Sequence, residues 1–357
     1  MRYLIYTDLQ AGEGSERCFH DPTLPLQRWR VKLFFEVLLE LFEEACCDGL
    51  WDLGDTFDDR NSIPVPTLDN LFACLEWFKV TCDNNLKLVG NHDQHVKSGK
   101  VHSGRAFTGV FQVYDTPVVR EICGVRVLLC PYPDEAFDLE TWLDENLLKD
   151  GTRQLVLGHF QVEGTRDRDG RILKGGVHVG ILKRATLVLL GHVHHPQSIT
   201  QTIHYIGSPF QQDFGEAGED KRVALLDLPE LTLQWAPIYG FPVYKQVTID
   251  EWLNVVDSGP SVDIGTDEDR YRVVLNSQAD VERYFNHPKM RQAKPIYDGI
   301  ATQLAAKSGA TKTGPVSFDA SDVIQRFFKQ RPPAELHGLS ADEFLQVGVD
   351  LVADSVH

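Results

Sequence analysis

The chain has 357 residues, enough for a large hydrophobic core and more than one domain. Hydrophobic residues make up 42% and charged residues 24%, as in ordinary globular proteins, and no stretch approaches the roughly 20 apolar residues that cross a bilayer. The formal net charge of −17 disfavours a protein that coats nucleic acid by its own charge, although metal ions or a partner subunit can supply positive charge to a nuclease.

The N-terminal residues and the cysteines indicate a cytoplasmic protein. The apolar run that begins at Tyr3 ends at Asp8, which makes it too short for a signal peptide. The seven cysteines are odd in number and include no Cys-x-x-Cys pair. This usage favours reduced, buried thiols over disulfides or a zinc–thiolate site.

Through the first two-thirds of the chain, short apolar runs alternate with stretches of helical periodicity, which predicts an α/β architecture. The predicted strands are 2–7, 50–53, 86–89, 125–129, 154–157 and 187–190, and the predicted helices are 26–47, 67–82 and 136–148. Strand-like runs without long helices follow at 204–206, 223–226 and 231–235. The pattern therefore closes with a β-rich part.

Beyond about Pro237 the pattern changes, and we predict four domains, 1–240, 241–282, 283–316 and 317–357. The second is a small α+β unit with strands 244–249 and 270–275 around a short helix, 250–256. The third holds a helix that carries Ile296, Ile300 and Leu304, followed by a flexible linker, 307–315. The fourth contains two short amphipathic helices, which either fold back on the core or form a hairpin that docks a partner.

Polar residues follow five of the predicted strands. The segments are Asp8-Leu9-Gln10, Gly54-Asp55, Gly90-Asn91-His92-Asp93, Gly158-His159 and Gly191-His192-Val193-His194. Singly, each has a structural explanation as a turn, a helix cap or a hydrogen-bonded histidine. In an open parallel sheet, however, functional side chains gather where the strands end. Their joint occurrence, in order, at strand ends predicts a metal site.

The residue types indicate which metals the site would bind. The candidate ligands are Asp8, Asp55, Asn91, His159, His192 and His194. Carboxylate, carboxamide and imidazole together suit manganese, iron or zinc better than calcium. Asp55, on a glycine turn, can bridge two ions about 3.5–4 Å apart, and such a pair activates water and neutralises phosphate charge. His92 would then be free to donate a proton to the leaving oxygen, with Asp93 orienting its ring.

These motifs resemble those of the calcineurin-like metallophosphoesterase superfamily. The family pattern is Asp-x-His, Gly-Asp, Gly-Asn-His-Asp, a later Gly-His and Gly-His-x-His, and this chain matches all but one position. Within the superfamily the chain is most similar to the SbcD-type nuclease subunit of the SbcC–SbcD DNA repair and recombination complex and to its viral relatives. Added support comes from Tyr205 to Gln212, the following Phe214-Gly215-Glu216, and the domain order. The motifs cover about residues 1–230.

The resemblance implies a two-layered β-sandwich core flanked by helices and a site for two Mn²⁺ ions, with Mg²⁺ as the alternative. One ion would be held by Asp8, Asp55 and His194, and the other by Asp55, Asn91, His159 and His192. His92 would be the catalytic histidine of a DNA exonuclease, and whether the enzyme is also an endonuclease stays open.

The resemblance also implies partners. The unit at 241–282 would cap the DNA, and the hairpin at 317–357 would bind the coiled-coil base of an SbcC-type ATPase. A homodimer would form through the helices after Pro25 and near Thr67. A viral protein of this kind would act in the host cytoplasm.

One departure weakens the resemblance, because Gln10 stands where the family has histidine. A carboxamide oxygen can bind manganese, but more weakly than imidazole, and His20 in the following loop is an alternative ligand. Two other functions stay open. The acidic charge favours a small-molecule or protein phosphoesterase of the same superfamily, and Gln10 is consistent with a non-catalytic scaffold that has a degenerate metal site.

Overall fold

A computed structural model describes residues 1–14, 23–81, 84–95, 101–167, 170–257, 269–287 and 294–297. The described residues belong to two units. The first contains residues 1–273 and 294–295, and the second contains residues 274–287 and 296–297. The predicted linker and hairpin beyond residue 297 lie outside the described residues, as do His20, Cys18 and Cys82.

The described residues form strands, helices and two short 3₁₀ helices (Ser103–Phe107 and Phe214–Glu216). The strands are β1 (Arg2–Tyr6), β2 (Gly49–Asp52), β3 (Leu86–Leu88), β4 (Gln112–Tyr114), β5 (Val118–Ile122), β6 (Val125–Cys130), β7 (Gln154–His159), β8 (Leu187–Gly191), β9 (Gln197–Ser198), β10 (Ile203–Tyr205), β11 (Arg222–Asp227), β12 (Thr232–Pro237), β13 (Tyr244–Thr248), β14 (Arg270–Leu275) and β15 (Lys294–Tyr297). The helices are α1 (Leu26–Glu44), α2 (Val65–Thr81), α3 (Leu139–Asn146), α4 (Val179–Leu182), α5 (Ile249–Asp257) and α6 (Gln278–Asn286).

Two six-stranded mixed sheets form the centre of the first unit. The first sheet has the order β12-β11-β1-β2-β3-β4, with β1 to β4 parallel and β11 antiparallel to β1. The second has the order β5-β6-β7-β8-β10-β9, with β6, β7, β8 and β10 parallel and both edge strands antiparallel. A small third sheet has the order β13-β14-β15.

The central strands are buried on both faces, so their side chains alternate between two different cores. Ile5 of β1 and Leu157 of β7 belong to the apolar cluster that contains residues of both sheets. Leu4 packs on the opposite face with α1 and α2, and Val156 packs with α3 and α4. This four-layer α/β arrangement confirms the predicted fold class, a two-layered sandwich flanked by helices.

The predicted strands of the first unit are confirmed to within about two residues, but their apolar pattern alone does not show that they divide between two sheets. Parallel strands buried on both faces have the same apolar pattern whichever sheet they join, so the pattern does not separate two sheets. Strands β4 and β5 were not predicted because they lie at sheet edges and carry half-exposed or exposed side chains.

Two predicted helices need correction. The helix predicted over 136–148 is shorter, because the Asp138 side chain accepts a hydrogen bond from the Thr141 amide and caps the start of α3. Ile296 was predicted to be helical but lies in β15, and the rest of that predicted helix is outside the described residues. Helix α6, in the second unit, was not predicted and is capped by Ser277.

Two further sequence predictions concern thiols and membrane spans. The five described cysteines are free, but only Cys130 is fully buried and Cys46 is exposed, so the prediction of buried thiols holds in part. Within the described ranges, no helix combines the length and apolar character needed to cross a bilayer.

Candidate metal centre

The polar residues at the carboxyl ends of β1, β2, β3, β7 and β8 lie in contact with one another, although these strands belong to two sheets. Several of them have a left-handed backbone. The φ angles are 53° at Asp8 and Gln10, 56° at Asp55 and 84° at His192. Non-glycine residues rarely adopt this conformation, and such residues concentrate at functional sites.

Two carboxylates and one imidazole form the centre of the group. One ligand atom from each of Asp8, Asp55 and His159 lies within 4.8 Å of the other two, and all three residues are buried. His159 Nδ1 donates to the Leu53 carbonyl at 2.8 Å, so Nε2 faces Asp55 Oδ2 at 3.3 Å. This fixed ring orientation is typical of a histidine that binds a metal through its other nitrogen.

The electrostatics of these buried residues also fit a cation. Burial raises the pKa of Asp8, against the effects of His159 and His194. Burial acts in the same direction on Asp55, but the charge and hydrogen bond of His159 outweigh it and lower the pKa of Asp55. Burial would lower the pKa of His159, but Asp55 raises it to about 9. Two buried carboxylates that share one imidazole are the donor set that a divalent cation would neutralise.

Asn91 and His192 lie next to this group. His192 Nδ1 donates to Asn91 Oδ1 at 2.7 Å, and the same oxygen lies 3.2 Å from His159 Nε2. The His192 amide also donates to Asp8 Oδ2 at 3.0 Å. Burial, and then the charge of His159, lower the pKa of His192 to about 4. The contacts of His192 thus connect the Asn91 carboxamide to the Asp8 carboxylate.

His194 and Gln10 lie on the other side of the carboxylates. His194 Nε2 is 3.8 Å from Asp8 Oδ1, and Gln10 Nε2 donates to Asp55 Oδ2 at 3.4 Å. Gln10 therefore faces Asp55, the carboxylate predicted to bridge two ions. All seven predicted ligands are brought together, and their roles in binding metal remain a prediction.

Glu216 was not predicted as a site residue, yet it holds His194 in place. Its Oε1 accepts from His194 Nδ1 at 2.9 Å, while Oε2 contacts Ser208, the Gln212 amide and Lys221. Burial would raise the pKa of Glu216, but His194 and Lys221 lower it to about 2. The signal in the sequence is the Phe214-Gly215-Glu216 segment, which supports the resemblance but does not by itself identify Glu216 as a site residue.

We expect Glu216→Gln to weaken Mn²⁺ binding by about 10- to 100-fold, because carboxylates that orient a metal-bound histidine have this effect. Glu219→Gln is the matched control, since Glu219 also contacts Lys221 but pairs with His195 rather than His194. Titration with Mn²⁺ by calorimetry measures both variants. Equal affinities for the two variants would contradict the role of Glu216.

A backbone carbonyl, rather than Asp93, orients the His92 ring. His92 Nδ1 donates to the Asp58 carbonyl at 2.7 Å, so the acceptor that orients the ring is a backbone oxygen. Asp93 is buried, and its carboxylate accepts from the amides of Asp55, Thr56 and Gly90. The predicted orienting role of Asp93 is therefore wrong. Its carboxylate joins the loops after β2 and β3.

Two glycines let the strand ends approach this closely. A Cβ atom at Gly90 would collide with the Asp55 carboxylate. A Cβ atom at Gly191 would collide with Thr7 Oγ1 and lie 2.9 Å from His159 Nδ1. Both motif glycines are thus explained by packing around the centre rather than by turn formation alone.

Tyr132, after β6, is a second site residue that the sequence did not indicate. Its ring centroid lies 5.6 Å from that of His192 and 6.3 Å from that of His159. Its amide donates to the Val89 carbonyl at 2.8 Å, which links the end of β6 to the end of β3. Tyrosine has no metal-ligand pattern, so no motif pointed to it.

Comparison with known proteins yields distant structural similarity. No protein-family model matches the chain, and no curated protein matches it. A dimetal phosphatase from Danio rerio is 12% identical, with a TM-score of 0.44, and the match covers 66% of this chain and 95% of that one. An archaeal phosphodiesterase is 12% identical with a TM-score of 0.34, covering 67% and 100%. The E. coli phosphoesterase Yfce is 13% identical with a TM-score of 0.31, covering 67% and 98%.

Proposed function

We propose that the protein is a metal-dependent phosphoesterase that hydrolyses DNA phosphodiester bonds in the cytoplasm, working with an SbcC-type ATPase in DNA end processing and repair. The observation that carries the phosphoesterase part is the buried group of Asp8, Asp55 and His159, with Asn91 and His192 against it. The choice of DNA and of the ATPase rests on the sequence resemblance.

In this proposal the centre holds two Mn²⁺ ions, for which Mg²⁺ is the alternative. The first would be bound by Asp8, Gln10, Asp55 and His194, and the second by Asp55, Asn91, His159 and His192. When bound, such a pair lowers the pKa of a water molecule and offsets the negative charge on the phosphate. The protein contributes by fixing these ligands on strand ends and by orienting the His159 and His194 rings through Leu53 and Glu216.

His92 supplies the proton in the proposed reaction. A carbonyl oxygen only accepts hydrogen bonds, so the contact with Asp58 assigns a proton to His92 Nδ1. Its Nε2 is then the atom that gains a proton and donates it to the leaving oxygen. The His92 amide also donates to Asp55 Oδ1 at 2.7 Å, which ties this residue to the bridging carboxylate.

We expect His92→Ala to retain two Mn²⁺ ions per chain and to lower turnover by about 10²- to 10⁴-fold, the usual contribution of a proton-transfer group. His95→Ala is the control, because His95 is an exposed histidine on the same loop. Turnover and metal content are measured on the same preparations. Full activity of the His92 variant would remove this residue from the mechanism.

The direct test of the function is incubation of the Mn²⁺-loaded protein with linear double-stranded DNA, alone and with the ATPase. Degradation under either condition supports the nuclease. Turnover of p-nitrophenyl phosphate or cyclic nucleotides far above DNA cleavage would favour the small-molecule or protein phosphoesterase. If the protein has bound metal and hydrolyses none of these substrates, the result would favour a non-catalytic scaffold.

The partner proposals concern three further parts of the chain. The α+β unit at 241–282, which contains β13, α5 and β14, would cap the DNA, and a homodimer would form through α1 and α2. Residues 317–357, which lie outside the described ranges, would bind the ATPase. Deleting the chain from Ser317 onward should end copurification with the ATPase and spare intrinsic cleavage. A truncated chain that still copurifies would exclude this docking segment.

A further inference from the structure

A cavity of about 330 Å³ adjoins the candidate metal centre. Gln10 and His194 line it, and they are also the residues that approach the carboxylates of Asp55 and Asp8. The cavity wall further includes Leu26, Gln27 and Arg30 of α1. A ligand bound at the metal centre would therefore have room to extend into this cavity.

Arg30 is a buried cation in the cavity wall, and the described residues offer it no counterion. Arg30 is 2% exposed, and its Nη1 donates to the Tyr244 hydroxyl at 3.3 Å. Its Nε and Nη2 atoms are themselves buried, and within the described part of the chain they have no hydrogen-bond partner and no carboxylate within ion-pair distance. Arg28, two residues before, has Glu13 at 3.4 Å.

A buried guanidinium with unmet N–H groups is costly unless a ligand satisfies it. Two aromatic rings compensate in part, because the guanidinium carbon lies 5.2 Å from the Tyr244 ring centroid and 6.0 Å from that of Phe210. The vacant hydrogen-bonding capacity of Arg30 is therefore suited to an oxyanion.

The amino end of α1 faces the same cavity. Its first two residues, Leu26 and Gln27, are part of the wall. The helix is 19 residues long, its N-cap is Pro25 with no capping side chain, and its first turn has no acidic residue. An uncapped helix start carries partial positive charge and free N–H groups, which favour an anion. Asp58 also lines the cavity, and its negative charge repels an anion. Binding of an anion therefore needs both Arg30 and the amino end of α1.

We propose that Arg30 and the amino end of α1 form a subsite for a second phosphate group of the substrate, adjacent along the strand to the phosphate at the metal centre. This inference rests on the proposed function, since it assumes a substrate with successive phosphates. It gives the enzyme a preference for nucleotide chains over substrates with a single phosphate. It also explains how a chain with a net charge of −17 holds a polyanion at this position.

The test compares binding of thymidine 3′,5′-bisphosphate, whose two phosphates have the spacing of neighbours in a strand, with binding of thymidine 5′-monophosphate. Calorimetry is done on the Mn²⁺-loaded full-length protein. For the wild type we expect the bisphosphate to bind about 10- to 100-fold more tightly, as hydrogen bonds to charged groups contribute. Arg30→Met should abolish that ratio, and the matched control Arg28→Met should retain it.

A ratio that persists in Arg30→Met, or equal affinities of the wild type for both ligands, would overturn the subsite. If Arg30→Met does not fold, the affinity ratio of the wild type tests the subsite. Arg30→Lys should then bind the bisphosphate more tightly than the monophosphate, but by a smaller ratio than the wild type. Hydrolysis of the p-nitrophenyl ester of thymidine 5′-monophosphate is measured in parallel. Failure of the wild type to hydrolyse it counts against the proposed function alone, because the binding ratio is read without turnover.

Discussion

Asp55→Asn should abolish hydrolysis and the binding of both cations. Asp55 is the carboxylate that contacts residues of both proposed ion sites, His159 at 3.3 Å and Gln10 at 3.4 Å. Asparagine keeps an oxygen that can accept from the His92 amide, so the loop is preserved while the charge is removed. Because bound cations stabilise the transition state by several kcal/mol, we expect turnover to fall by about 10³-fold or more.

Metal content per chain, measured by elemental analysis after gel filtration, reports the binding part of this prediction. Asp59→Asn is the matched control, since Asp59 is an exposed aspartate on the same loop. It should bind two ions and keep full activity. An Asp55→Asn variant that retains two ions would show that another residue bridges them.

Lys87→Met should lower the free energy of unfolding by about 3–5 kcal/mol, the usual effect of removing one partner of a buried ion pair. Lys87 is fully buried in β3, and its Nζ lies 2.9 Å from Asp52 and 3.2 Å from Asp93. Methionine fills much of the same volume, so the loss comes from the two carboxylates left without a cation. Urea unfolding measures the effect.

The variant should also loosen the metal centre, because Asp93 holds the amides of Asp55, Thr56 and Gly90. Lys32→Met is the control. Its ion pair with Glu36 is exposed and 4.0 Å long, so the expected change is below about 0.5 kcal/mol. Adding Asp52→Asn to Lys87→Met should restore part of the loss. Unchanged stability of the single variant would contradict the ion-pair account.

The same cluster gives the pH range of this stabilisation. Burial would lower the pKa of Lys87, but Asp52 and Asp93 raise it above its ordinary value. Because the pKa of Lys87 is higher in the folded than in the unfolded protein, its ion pairs contribute in full to the free energy of unfolding at neutral pH. This contribution is lost only as the pH rises through the folded-state value.

The sequence predicted the strands and the polar residues at their ends because apolar runs and strand-end motifs are local features. The apolar pattern did not predict the division into two sheets, which only the motif resemblance implied, since both sheets have parallel strands with the same buried pattern. Lys87 was hidden inside an apolar run, where only the packing of Asp52 and Asp93 explains a buried cation.

Residues that act through others were the hardest to predict. Glu216 and Tyr132 reach the site through contacts with His194 and His192, and neither contact leaves a spacing pattern. The role of Asp93 was misjudged because sequence adjacency to His92 suggested a contact, whereas the turn directs its carboxylate to the amides of the two loops. Arg30 likewise lies in a helix that was predicted from its periodicity alone, and periodicity does not identify a residue that lines a cavity.

We expect Asp55 to lie between two cations. An anomalous-scattering map from a manganese-soaked crystal, recorded at the manganese edge, would locate them. It should contain two peaks, one beside Asp8 and His194 and the other beside Asn91, His159 and His192, with Asp55 contacting both. A map with no peak at Asp55, or with a single ion that Asp55 does not touch, would contradict this expectation.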